Sequence, residues 1–425
     1  VQVRLEYGRD GLVAEVPDAN LAGVLRLTPF PPLSEPAEAV RNALQRPIGT
    51  ATLRQLAADK RRVCIVICDI TRPVPNTLLL PVVLAELHAA GVPSSSITIL
   101  IATGTHRPNE GAELEALVGA GIARSIRCVN HVCTDTEAQA ALGTSPNGVP
   151  VRLDREYVDA DLRITVGLIE PHFMAGFSGG RKLVMPGIAA LETVQAWHSP
   201  RFLEHPNAAS GVVEGNPVHE EALAIARMCP PDMTIDVTLD ENNRITGVFA
   251  GDMWEAWSTG VAFARRSVGA TVPQPVDIVV TTCAGHPLDA TFYQAVKGMV
   301  GALPIVKRGG SIIIASQCAE GIGSPHFREL LFGHDDLAEF LRIIQGENWI
   351  FVPDQWEVEE LARAALHAKI YLVCDGIPSE EAENIFVTPA ASVEDALEMA
   401  FAEHGRNASV AVIPKGPYVI ASVAA

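Results

Sequence analysis

The sequence has no paired-cysteine motif, no long apolar run and no excess of basic residues, and each absence removes a class of function. Its eight cysteines, at positions 64, 68, 128, 133, 229, 283, 318 and 374, include no C-x-x-C pair. Several sit inside apolar runs such as Val63-Cys64-Ile65-Val66-Ile67-Cys68, the pattern of buried small thiols in a reducing compartment. No apolar stretch reaches the roughly 18 residues that a membrane span requires. The opening Val1-Gln2-Val3-Arg4-Leu5-Glu6 alternates like a strand and has no signal-peptide apolar region, so the expectation is a soluble cytoplasmic protein with no membrane partner. Lysine and arginine total 32 against 50 aspartate and glutamate, a formal charge of −18. That balance excludes a general nucleic-acid binder, because phosphate contacts need a basic surface. An anionic small substrate stays open, since a few convergent cations act locally against the overall field. Conventional zinc signatures are missing too: there is no H-E-x-x-H, and His106, His172 and His198 form no short-spaced pair.

What is present is an alternation of strand-like and helix-like runs over 425 residues, 48% of them apolar, enough for two or three domains. A strand at Val63–Cys68 leads through a Pro-rich turn to a helix near Asn76–Ala90, and one at Ile97–Ala102 leads to a helix near Ala112–Val118. A third strand, Leu162–Ile169, ends at Glu170-Pro171-His172. Further β-branched runs cover Asp277–Thr281, Ser311–Ala315 and Ile370–Cys374. The pattern predicts an α/β fold: two mixed α/β domains with mainly parallel sheets and an active-site cleft between them. The two prolines of Ala270-Thr271-Val272-Pro273-Gln274-Pro275 mark the boundary, giving domains 1–270 and 271–425. The strand-like Ser409–Pro414 fits either domain, because a terminal segment can cross back.

Polar side chains fall just after these strands. Asp69, Thr71 and Arg72 follow the first, His106 and Arg107 the second, Glu170 and His172 the third, and Asp289, Gln294 and Lys297 the Asp277 strand. Ligands of open α/β sheets bind beyond the carboxyl ends of strands, so these groups point to one shared site. Asp69-Ile70-Thr71-Arg72-Pro73 offers a guanidinium fork to phosphate or carboxylate, or else a structural Asp–Arg turn. His106, in Thr103-Gly104-Thr105-His106-Arg107-Pro108, has the right pKa range for proton exchange, though a lone loop histidine is more often a hydrogen-bonding residue.

The most informative segment is Glu170-Pro171-His172-Phe173-Met174-Ala175-Gly176-Phe177-Ser178-Gly179-Gly180-Arg181-Lys182. Ser178, Gly179 and Gly180 permit close backbone approach and N–H contacts to an anion. It is not a P-loop, because Lys182 is followed by leucine and lacks the magnesium-binding hydroxyl. A shielded lysine can instead be a covalent attachment point. His198 closes the helix-like Gln195-Ala196-Trp197, as a metal ligand or a plain helix-terminal residue. In Phe292-Tyr293-Gln294-Ala295-Val296-Lys297-Gly298, Gln294 and Lys297 are three apart and share a helix face, suited to holding one carboxylate or simply solvated.

Together these segments resemble the lactate racemase family of nickel-pincer enzymes. The matching stretches are Asp69–Pro73, Thr103–Pro108, Glu170–His172, Gly176–Lys182, His198 and Phe292–Gly298, in the family's order and over most of the chain. The resemblance implies a nickel-pincer nucleotide, a pyridinium mononucleotide with two sulfur-containing arms, attached to Lys182 through a thioamide. It implies His198 as the protein's ligand to Ni(II), whose square-planar preference suits a planar pincer plus one imidazole. His106 and His172 become the two acid/base groups, exchanging the hydroxyl proton while the C2 hydride of a 2-hydroxy acid moves to the cofactor and back through a 2-keto acid. Arg72 orients the substrate hydroxyl; Tyr293, Gln294 and Lys297 hold the substrate; Trp356 is an expected pocket wall favouring a short aliphatic acid. From the loop chemistry, Asp69, Thr71, Arg72 and Ser178–Gly180 are expected near the nucleotide phosphate. Cofactor-synthesis enzymes are the implied transient partners.

Three other readings compete. One is racemisation or epimerisation of malate or a sugar acid on the same cofactor. The second is a hydrolase or lyase with a conventional divalent metal on His106, His172 and His198. The third is a non-catalytic binder of phosphorylated metabolites. Fold alone does not separate them.

Overall fold

The computed structural model describes residues 1–346 and 349–424. Two six-stranded sheets dominate it. In the first, the β-branched runs Val63–Cys68, Ile97–Ala102 and Leu162–Leu168 are central and parallel, as strands buried on both faces must be. Met233–Leu239 extends the sheet in parallel, and Ile245–Gly251 closes that edge as its one antiparallel partner. The helix Asn76–Ala89 covers one face through Leu79, Leu80, Val83 and Leu87. The expected mainly parallel α/β architecture is present, with Val276–Thr282, Val306–Ala315, Lys369–Val373 and Val410–Ile413 parallel in the second sheet.

Two features of the topology have no signal in the local sequence pattern. The strand Leu21–Val24, near the start of the chain, pairs with Val410–Ile413 and so belongs to the second sheet. The Pro-flanked segment expected as a boundary contains a short strand, Gly269–Val272, which pairs with Ile420–Val423. Val410–Ile413 itself, open to either half by sequence, lies in the second sheet between Val276–Thr282 and Leu21–Val24. Hence the chain starts in the second half, builds the first, and returns.

Cys68 and Ala102 are register partners, so the first two strands of the first sheet end level with each other. Their last residues, with Leu168, form the floor of a cleft of about 180 Å³. The opposite wall comes from two helices of the second half. Phe292–Ala302 is started by Thr291, whose side chain accepts from the Gln294 N–H and so fixes which face carries Lys297. Gln355–Ala365 places Trp356 and Glu357 in its first turn.

Candidate active site

The cleft gathers Asp69, Thr71, Arg72, His106, His172, Ser178, Gly179, Lys182, His198, Tyr293, Lys297 and Trp356. Of the residues singled out from the sequence, Gln294 and Gly180 stand just behind it. Gln294 accepts a hydrogen bond from Lys297 Nζ at 2.5 Å. Asp289 is not brought to the cleft. Its carboxylate accepts from the backbone of Gly8 at 2.6 Å and Gln317 at 3.1 Å, tying the first residues of the chain to the second half.

His106 sits in the loop after Ile97–Ala102, its side chain 54% exposed. Nδ1 lies 2.7 Å from Asp69 Oδ2. Asp69 Oδ1 in turn accepts from the Thr71 hydroxyl at 2.6 Å and its N–H at 3.2 Å. Burial raises the Asp69 carboxyl, but the bonds and charge of His106, with Thr71 and Arg72, outweigh it and hold it below its ordinary value. An ionised Asp69 fixes the His106 proton on Nδ1 and leaves Nε2 as the free lone pair.

His172 has the opposite setting. It lies on a two-residue strand, Pro171–His172, folded back on Gly176–Phe177. Gly176 makes that fold possible: its φ is +76°, and a Cβ there would lie 2.1 Å from the Val212 carbonyl oxygen. Nδ1 accepts from the Ala175 N–H at 3.2 Å, and Nε2 is 2.9 Å from Lys182 Nζ. Burial above all, with Arg72, Lys297 and Arg181 among the basic groups around it, holds the imidazole well below its usual pKa.

The Ser-Gly-Gly loop differs from the expectation of free N–H groups. The Ser178 N–H donates to the Glu170 carbonyl at 2.9 Å, and the Gly180 N–H to the Asp236 carboxylate at 3.0 Å. A Cβ on Gly179 would stand 2.8 Å from Asp236 Oδ1, and one on Gly180 would meet Trp257 at 2.9 Å. These glycines let the loop close around Asp236 and Trp257, so the N–H groups of Ser178 and Gly180 are taken up within the protein, while Ser178 and Gly179 still line the cleft. Asp236, buried, is pushed up to about 7.

His198, at the end of Leu191–Trp197, is 8% exposed and packed between two indoles. Its ring centroid lies 4.4 Å from Trp197 and 4.5 Å from Trp356. Burial, reinforced by Lys182, lowers its pKa to about 3, so the ring is neutral, and Nδ1 has no hydrogen-bond partner. A neutral, immobilised imidazole with an orphaned nitrogen is what a single-histidine metal ligand requires. Among the described residues no three His, Cys, Asp or Glu side chains are grouped to hold a metal ion. Trp356 therefore backs His198 as well as walling the cleft, and its Nε1–H donates to the Tyr293 hydroxyl at 2.9 Å.

Two acids complete the site, neither of them given a role from the sequence. Glu170 pairs with Arg72, Nε to Oε1 3.1 Å, and so aims the guanidinium across the cleft. Glu357 lines the cleft, and both its oxygens lack partners. Burial, opposed by Lys297, pushes it up to about 8, while burial lowers Lys297. Glu170 was visible as an acid after a strand. Glu357 carried no sequence signal beyond adjacency to Trp356.

Comparison with known proteins agrees over the whole chain. The lactate racemase N-terminal domain matches residues 7–211 and the lactate racemase C-terminal domain residues 271–421. A lactate racemase of Lactiplantibacillus plantarum is 38% identical over 425 residues, covering 99% of each chain. A lactate racemase of Thermoanaerobacterium thermosaccharolyticum is 35% identical over 421 residues, 98% of each chain. The solved structure of the lactate racemase apoprotein from the latter organism superposes with a TM-score of 0.94, covering 99% of this chain and 100% of that one. A Thermotoga maritima protein at 19% identity shares the fold, with a TM-score of 0.71 over 93% of this chain and 100% of its own.

Proposed function

The chain belongs to the lactate racemase family, and from that premise we propose that it racemises a short 2-hydroxy acid using a nickel-pincer nucleotide attached to Lys182. The observation that carries this reading is the convergence of a dehydrated lysine, a neutral single imidazole and two further histidines in one cleft. Lys182 would hold the organic group and His198 its nickel, a fit supported by the unpartnered Nδ1 of His198. When bound, the group supplies the acceptor and donor for the substrate's C2 hydride.

The chain's own residues do the rest. Lys297, braced by Gln294, holds the substrate carboxylate, and Arg72, aimed by Glu170, orients the hydroxyl. His106 takes or gives the hydroxyl proton through Nε2, with Asp69 stabilising the imidazolium that forms. His172 serves the other enantiomer. Tyr293 and Trp356, bonded to each other, close the wall and limit substrate length. The reading takes the chain as two units that part near residue 270, with Leu21–Val24 carried in the second sheet; the first holds the cofactor and the proton-exchanging histidines, and the second supplies the carboxylate contacts. It places the enzyme in the cytoplasm, loaded by cofactor-synthesis enzymes; among the described residues no helix is long and apolar enough to cross a membrane.

The test is intact-protein mass with nickel content, on protein co-expressed with the family's cofactor-synthesis enzymes. A covalent increment on the Lys182 peptide and about one nickel per chain, with interconversion of D- and L-lactate, is the expected result. Neither adduct nor nickel, where a loaded relative prepared in parallel shows both, would sink it.

A further inference from the structure

Around Lys182 the hydrogen bonds have a direction that one assignment of protons satisfies. The Ala175 N–H donates to Nδ1 of His172, so Nδ1 is the bare ring nitrogen, and a neutral ring then carries its proton on Nε2. Nε2 faces Lys182 Nζ at 2.9 Å. An ammonium has donors and no acceptor, so a charged Lys182 would need a bare Nε2 too, and the ring would have no proton at all. An imidazolium fails as well, because its Nδ1–H would confront the Ala175 N–H. What remains is a neutral His172 donating from Nε2 to the lone pair of an uncharged Lys182 amine.

The surroundings favour the same state. Burial, then Arg181, Arg72 and Lys297, hold the lysine well below its usual pKa, with Glu170 the opposing charge. The Trp197 ring, 5.4 Å from Nζ, is the apolar neighbour on the other side.

We propose that His172 acts on Lys182 before any turnover: its Nε2–H holds the lysine as a neutral amine, ready for covalent attachment, and attachment in turn releases His172 for proton transfer. This rests on the reading of Lys182 as the attachment point. Attachment joins Nζ to the carbon of a thiocarboxyl arm as that carbon's C–O bond breaks, the oxygen leaving as water with one proton from the amine and one from the thioacid; the thioamide nitrogen so formed delocalises its lone pair and stops accepting hydrogen bonds. The acceptor that pins the proton on Nε2 is then gone, and the ring is free to change its protonation. His172 is thus a positioning residue in the cofactor-free chain and an acid/base group in the loaded one.

Both readouts use the cofactor-free protein. In ¹⁵N-histidine NMR, His172 should show the Nε2–H tautomer, and an Nδ1–H tautomer or a cationic ring would overturn the proposal. Acylation by an amine-reactive succinimidyl ester at pH 7, mapped by peptide mass, should single out Lys182 over Lys60, Lys307, Lys369 and Lys415. His172→Leu should slow Lys182 labelling at least about twofold at pH 7, rising toward tenfold for each unit by which the amine pKa then exceeds the labelling pH, while His172→Gln, which keeps an N–H donor, should stay near the parent rate. Equal rates in all three would mean burial alone sets the amine, and the role of His172 falls. A reactive Lys182 in a chain that never acquires an adduct on co-expression would instead refute the attachment reading and leave the hydrogen bond standing.

Discussion

His106 and His172 are the same side chain in two opposite settings. His106 is on an exposed loop, its Nδ1 proton fixed by Asp69, its Nε2 bare. His172 is on a tight hairpin, its Nδ1 bare toward Ala175, its Nε2 proton directed at Lys182. One ring is poised by a carboxylate and the other by a backbone amide and an amine. If both rings exchange protons as proposed, the difference teaches that two acid/base groups need not be symmetric for a reaction that runs both ways. On that scheme His106 relies on Asp69 alone, whereas the state of His172 would depend on what has happened to Lys182.

The largest expected effect removes the element on which the asymmetry depends. Lys182→Ala should abolish both the covalent increment and racemisation; an adduct of unchanged mass would end the assignment. Next, His106→Ala and His172→Ala should each cut kcat by about 10²–10⁴, after correction for nickel content. Near-normal turnover in either variant would break the two-base scheme. Asp69→Asn should cost on the order of 10²-fold in kcat, because an amide can present its NH₂ to Nδ1 and favour the wrong tautomer. If it instead left His106 fully competent, the contrast between the two rings would lose its basis on that side. Glu170→Gln should loosen Arg72 and raise KM about tenfold, roughly 1.4 kcal/mol, with a smaller change in kcat. The smallest effect is a control on a buried acid that does not line the cleft. Burial raises Glu359 from 4.5 to about 8, so the native state keeps a proton that the unfolded chain loses across that window. Stability contributed by that group therefore declines as pH rises from 4.5 to about 8. Glu359→Gln should gain a few degrees of Tm over the parent on going from pH 5 to pH 8, with racemisation unchanged.

Much of the cleft was legible because its residues come directly after apolar runs. Val63–Cys68 and Ile97–Ala102 announce themselves by β-branched content, and a side chain just past a strand end has few places to point. The shared face of Gln294 and Lys297 is likewise set by helical spacing, whereas Asn76–Ala89, apolar on nearly every face, is marked by its length and its place after a Pro-rich turn. What failed depends on distant partners. Nothing in Leu21-Ala22-Gly23-Val24 says that its partner lies at Val410–Ile413. Nothing in Ser178-Gly179-Gly180 says that the Gly180 N–H is taken by Asp236, brought in from another strand. Glu357, Glu359 and Glu360 are all buried, and no local pattern marks them. A carboxylate's burial is decided by what packs over it, and that information is not local.

The return of the chain to its starting half has a practical side. Leu21–Val24 belongs to the second sheet, so the backbone passes between the halves once after Val24 and again near Val272. Two crossings tie the sheets together more tightly than one would, since separating them has to disturb the backbone at both places. The same arrangement makes residue 270 a poor place to cut. A fragment 271–425 would lose Leu21–Val24 and leave the ladder of Val410–Ile413 bare on one side, an invitation to strand-to-strand self-association.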